Sequence, residues 1–119
     1  MTTTKEKEEE EEVIVVMMTA PDEQTAKKIA RTLVQEKLVA CCNLILKGVE
    51  SVFEWEGVIH DSESEVLIHA KSKKSSFPRI VDRVKQIHPY QVPEIIAVPV
   101  IFGNKEYLDW VKLMSTPSK

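Results

Sequence analysis

The stretch His88-Pro89-Tyr90-Gln91-Val92-Pro93-Glu94-Ile95-Ile96-Ala97-Val98-Pro99-Val100 holds three of the chain's six prolines. A proline pushes the residue before it out of helical geometry, so a helix ends at His88 and Val92 is extended. Glu94 then opens an apolar run too short for a helix and of the right length for a buried strand. Pro99 has no N–H to give to a ladder, which assigns that strand to a sheet edge. The corner between helix and strand carries an imidazole, a phenol, an amide and a carboxylate on backbone with few soft torsions. A functional site is sought here first.

Working outward, Phe77, Ile80, Val81, Val84 and Ile87 repeat with helical spacing up to the corner, with Ser76 as a cap and Pro78 in the first turn. Upstream, residues 66–71 alternate, placing Val66, Ile68 and Ala70 on one face and Leu67, His69 and Lys71 on the other. Residues 57–65, with His60-Asp61-Ser62-Glu63, read as a turn, and residues 39–55 as one long strand kinked at Gly48. The continuous apolar run 13–18 predicts a central strand. Asp22 and Glu23 open a helix whose Ala26, Ile29, Ala30, Leu33 and Val34 share one face. Past the corner, Gly103-Asn104 turns the chain into a short helix over 106–114, with Tyr107, Trp110, Val111 and Met114 on one side. The fold class predicted is α+β, a ferredoxin-like βαββαβ antiparallel sheet with two helices on one face. A long hairpin joins its second and third strands, and a C-terminal helix follows. Its first and third strands are central, so the proline-bearing fourth strand falls at an edge.

With 119 residues, 43% hydrophobic and 29% charged, the chain forms one ordinary globular domain. The formal charge of −3 divides unevenly. Residues 1–12 hold six Glu against Lys5 and Lys7 and read as a disordered acidic tail, while domain 13–119 is left near neutral. That balance offers no footprint for nucleic acid. Adjacent Cys41 and Cys42 do not suit a disulfide scaffold and favour a reducing compartment. No secretory signal and no apolar run of membrane-spanning length is visible. The cytoplasm is the expected location.

A strand of about 17 residues spans roughly 55 Å, whereas the first helix, about 16 residues, covers roughly 24 Å. The hairpin therefore outreaches its own helices, carrying Val49, Val52, Phe53, Trp55, Val58 and Ile59. Phe and Trp each bury ~150–250 Å² when covered, and leaving them in water beside an unpaired edge invites aggregation. A closed symmetric oligomer shelters both. The competing reading folds the hairpin back over its own sheet.

Several separated motifs, in this order, resemble the CutA divalent-cation tolerance proteins: Val39-Ala40-Cys41-Cys42-Asn43-Leu44-Ile45, Ser51-Val52-Phe53-Glu54-Trp55-Glu56-Gly57, His88-Pro89-Tyr90-Gln91-Val92-Pro93-Glu94-Ile95, and Gly103 with Tyr107-Leu108-Asp109-Trp110. The resemblance runs over residues 13–111. It implies a homotrimer of ferredoxin-like protomers similar to the PII-type signalling trimers, tolerance of copper and other divalent cations, and no attached chemical reaction. In animal members it implies a link to anchoring acetylcholinesterase. Carried over by motif, Cys41 matches the family's Ala-Cys and His88 its His-Pro-Tyr. The bacterial copper pattern has a cysteine where this chain has Met18 and a histidine where it has Ile87, and many members have a proline at Leu46.

No C-x-x-C, H-x-x-x-H or H-E-x-x-H spacing is present, so a metal site has to be assembled in space. The candidate ligands for copper or another divalent cation are His88, Cys41 and Met18, then Glu94. Against these stand plainer readings: His88 as a helix-end imidazole bonded to backbone, Cys41 as a small buried hydrophobe, and Met17 and Met18 as core. Val49, Phe53 and Trp55 are assigned to the trimer interface. An enzyme using Cys41 as nucleophile and His88 as base is the weaker reading, because no oxyanion hole or phosphate loop is suggested. The carboxylates Glu54, Glu56, Glu63 and Glu65 read as solvated hairpin charge. A third possibility is a PII-like small-ligand sensor or anchoring module with inter-subunit clefts lined by Lys71, Tyr90, Gln91 and Glu94, and by Trp55.

Overall fold

The strands are divided between two sheets. In a computed structural model that describes residues 3–117, the chain order is α1 (Thr4–Glu10), β1 (Val13–Ala20), α2 (Glu23–Gln35), β2 (Cys41–Ile45), β3 (Glu50–Trp55), β4 (Val58–Ser64), β5 (Val66–Lys73), α3 (Phe77–Ile87), β6 (Ile95–Pro99) and α4 (Lys105–Met114). A short 3-10 turn at Lys74–Ser76 precedes α3. The larger sheet has the order β2-β5-β1-β6, with every neighbouring pair antiparallel. The smaller one is a ribbon of β3 and β4. As the prolines require, β6 is an edge strand, and Pro99 is its last residue.

Register decides which side chains share a face. Val16 stands opposite both Ala70 and Ala97, and Ala70 opposite Cys42. Val16, Ala70 and Cys42 of this row, with their neighbours Ile14, Met18, Ala20, Val66 and Ile68, pack against Ala26, Ile29 and Leu33 of α2 and Ile80 and Val84 of α3. Both helices thus cover the same face, and their apolar spacing is the reason. The alternate residues Val15, Met17, Cys41, Asn43, Ile45, His69, Lys71, Ile96 and Val98 point the other way. There α4 closes only the end beside Val13, through a small cluster with Ala40 and Val111. Among the described residues nothing covers the rest of that face, and Ile45, Ile96 and Val98 are exposed.

Several expectations need correction. The long strand over 39–55 is broken: Val39 and Ala40 lie buried before β2, and residues 46–49 interrupt the run, with Gly48 at φ +87°. Only a residue tolerant of the left-handed region sits there comfortably. The turn assigned to 57–65 is instead strand β4, and the reversal is confined to Glu56 and Gly57, both at positive φ (50° and 81°). Two such residues make the tight turn whose twist matches a hairpin. Ser76 does not cap α3; its hydroxyl donates to the Ser115 carbonyl at 3.0 Å and ties α4 to the body.

The acidic tail also departs from expectation. Residues 4–10 form α1, held at its start by a capping box in which the Thr3 hydroxyl accepts from the Glu6 N–H and Glu6 accepts from the Thr3 N–H. Counting charge alone overlooks this local pairing. Lys73 extends its ammonium to Glu11 at 3.2 Å, and the Lys74 N–H donates to the Glu12 carbonyl at 2.8 Å. Met1 and Thr2, expected in the tail, lie outside the described residues, as do Ser118 and Lys119.

Candidate functional site

The corner is built by termination of α3. His88 has left helical geometry (φ −86°, ψ 135°), though its N–H still donates to the Val84 carbonyl at 2.8 Å. That position drives the imidazole inward, and the residue is 8% exposed. Nε2 lies 2.8 Å from the Thr19 carbonyl, and Nδ1 lies 3.1 Å from the Tyr90 N–H. A carbonyl only accepts and a backbone N–H only donates. The ring is therefore the neutral Nε2–H tautomer, with both nitrogens engaged. The Tyr90 ring leans on it with centroids 4.8 Å apart.

From Tyr90 the network continues into the strands. Its hydroxyl donates to Glu65 Oε2 at 2.7 Å. Burial, followed by the hydrogen bond to the Glu65 carboxylate, pushes the phenol well above its ordinary range. Glu65, expected as solvated charge, is only 7% exposed. Among the described residues no buried side-chain polar atom lacks a partner, so the corner is polar and satisfied. Neither Glu65 nor Thr19 carries a local signal for this role, because each lies more than twenty residues from its partner.

The three proposed metal ligands are not brought together. Met18 is fully buried in the row facing α2 and α3. Cys41 belongs to the opposite face, since its neighbour Cys42 is the one packed on the core. Its Sγ lies 3.4 Å from the Tyr107 hydroxyl, whose pKa is pushed up to about 12 first by that contact and then by burial. Cys42 is also pushed up to about 12, chiefly by burial and then by Cys41 beside it. His88 has no lone pair left for an ion. A divalent cation thus finds no fit with this trio within one chain. No group of three or more His, Cys, Asp or Glu suited to an ion occurs among the described residues. The imidazole that does face a methionine is His69, in register with Met17 on the open face of the sheet.

The cleft residues are also divided. Tyr90 touches Glu65 just before β5, and Gln91 and Glu94, which follow it in the chain, are exposed. Lys71 stands opposite Cys41 and donates to Asn43 Oδ1. It is four residues along β5 from Leu67, roughly 13 Å at strand spacing. Two shallow grooves of about 470 and 490 Å³ take no wall from any of these side chains. Cys41 and His88 do not pair, which removes the geometry that a nucleophile and base require. Of the interface candidates, Val49 is half-buried, whereas Phe53, stacked on His60 at 5.1 Å, and Trp55 remain exposed on the ribbon.

No helix among the described residues is long and apolar enough to cross a membrane. The family model described as CutA1 divalent ion tolerance protein matches residues 14–113. A Thermus thermophilus protein named divalent-cation tolerance protein CutA is 44% identical over 92 residues, covering 77% of this chain and 87% of that one. An Arabidopsis thaliana protein named CutA, chloroplastic, is also 44% identical over 92 residues, and the match spans 50% of its length. The solved structure of a Thermus thermophilus divalent cation tolerance protein superposes with a TM-score of 0.83 at 41% identity, covering 87% of this chain and 99% of that one. With the matched model spanning most of its length, the chain belongs to the CutA1 divalent ion tolerance family.

Proposed function

We propose that the protein acts in divalent-cation tolerance as a non-enzymatic homotrimer of ferredoxin-like protomers. In this reading copper or another divalent cation binds weakly, at seams between protomers. The observation that supports it is the apolar surface one chain leaves in water. Ile45, Ile96 and Val98 stand on the open sheet face, and Val52, Phe53, Trp55, Val58 and Ile59 on the ribbon. At ~25 cal/mol per Å², covering an aromatic side chain contributes roughly 2–3 kcal/mol, so a patch of this extent favours association strongly. The edges of β2 and β6 also remain open to further pairing. The threefold order comes from the family resemblance, and cyclic closure leaves no complementary surface unsatisfied. A role without turnover is supported by the engaged nitrogens of His88, which leave Cys41 without a base. The two free cysteines support a cytoplasmic location.

Sedimentation equilibrium at micromolar concentration tests the assembly. The expected species is about 41 kDa, three times the 13.6 kDa chain. A 13.6 kDa species would overturn the reading.

A further inference from the structure

The ribbon of β3 and β4 joins the main sheet through two links. One is the segment 46–49, with Gly48 in left-handed geometry. The other is Glu65, the single residue between the end of β4 and the start of β5. A two-stranded ribbon is marginal in isolation, and a glycine-bearing link and a one-residue link leave its angle to the body soft. Glu65 is nevertheless held from two directions. Its N–H donates to the Val49 carbonyl at 3.2 Å, which fastens the two links to each other. Its carboxylate accepts from the Tyr90 hydroxyl at 2.7 Å. Tyr90 is in turn fixed through its N–H to His88 Nδ1, and His88 through Nε2–H to the Thr19 carbonyl near the end of the central strand β1.

We infer that Thr19, His88, Tyr90 and Glu65 form a brace that sets the angle of the ribbon to the sheet, with Tyr90 and Glu65 as its positioning residues. The His-Pro-Tyr motif then serves geometry: Pro89 holds the imidazole and the phenol on one corner, and the phenol reaches across to the root of the ribbon. Charge-assisted bonds of this kind are among the stronger ones, and a buried carboxylate stripped of its donor is costly. The brace bears on assembly only insofar as the trimer reading holds, because the ribbon carries Phe53 and Trp55 toward other copies. Its effect on the ribbon root is independent of that reading.

The test compares full-length wild type with Tyr90→Phe, which keeps the ring against His88 and removes only the hydroxyl. Amide hydrogen exchange is followed by mass spectrometry, and mass by sedimentation. The expected result is about tenfold faster exchange in peptides covering 46–51 and 63–66, with those from β1 and α2 unchanged. Glu65→Gln, which retains a carbonyl acceptor for the phenol, should exchange more nearly like wild type than Glu65→Leu does. Equal exchange in wild type and Tyr90→Phe would overturn the brace. So would equal acceleration in Glu65→Gln and Glu65→Leu. A monomeric wild type would remove the trimer reading alone and leave the exchange comparison standing.

Discussion

His88 and Thr19 are 69 positions apart, yet the Nε2–H of one donates to the carbonyl of the other at 2.8 Å. With the Tyr90 N–H on Nδ1, this contact turns the residue that best suited a metal into a structural strut. An imidazole offers one lone pair when neutral, and here a backbone N–H occupies it.

His88→Ala should therefore destabilise the fold. It leaves the Thr19 carbonyl and the Tyr90 N–H without these partners in a part-buried setting, a loss of about 1–3 kcal/mol. At this chain length that lowers the melting temperature by roughly 4–12 °C. Thermal melts followed by circular dichroism read it, and an unchanged midpoint would contradict the strut.

Copper affinity should not follow the same substitution. Titrations of wild type and His88→Ala with Cu(II), under conditions where both are folded, are expected to give the same weak affinity. A tenfold loss in the variant would show that the ring exchanges the Thr19 bond for the ion, and would restore His88 as a ligand.

Trp55→Ala should weaken association more than it perturbs the protomer, because the side chain is 42% exposed within one chain. The expected signature is a melting temperature that falls on dilution more steeply than in wild type. A concentration-independent drop would place Trp55 in intramolecular packing instead.

The Cys42 thiol should be inert at neutral pH. Burial raises Cys42 from its ordinary 9.0 to about 12, so at pH 8 it remains a protonated and unreactive thiol. Iodoacetamide labelling of the folded protein is expected to leave it unmodified, with modification of Cys42 at the rate of an exposed thiol as the contrary result. The same shift makes stability pH-dependent. From pH 9 upward the unfolded chain has lost this proton while the folded chain keeps it, so the unfolded state binds fewer protons. Stability then falls as pH rises from 9 toward about 12. Urea midpoints at pH 8, 9 and 10 under reducing conditions should show that decline, and Cys42→Ala should flatten it.

Local patterning explains which elements were legible. The helical spacing of Ala26, Ile29 and Leu33 and of Ile80 and Val84, the alternation of Val66, Ile68 and Ala70, and the prolines at 89 and 99 each state their own geometry within a few residues. The buried rows follow them. The break at 46–49 and the tight turn at Glu56-Gly57 were harder to read. The β-branched and aromatic residues on either side suit a strand continuing through the glycine equally well, and only pairing partners distinguish the two.

Sequence alone thus determined the order of the four main-sheet strands and of the two helices that cover them, the edge position of the last strand, the apolar faces of those helices and the family, because these depend on neighbours along the chain. Tertiary structure decided the site. Whether Glu65 is solvated or buried, whether the nitrogens of His88 are open or spent, and whether Met18 and Cys41 share a face all depend on register and on contacts between residues far apart in the chain. A one-residue change of register reverses a side chain from one face of a sheet to the other, and composition carries no record of that choice.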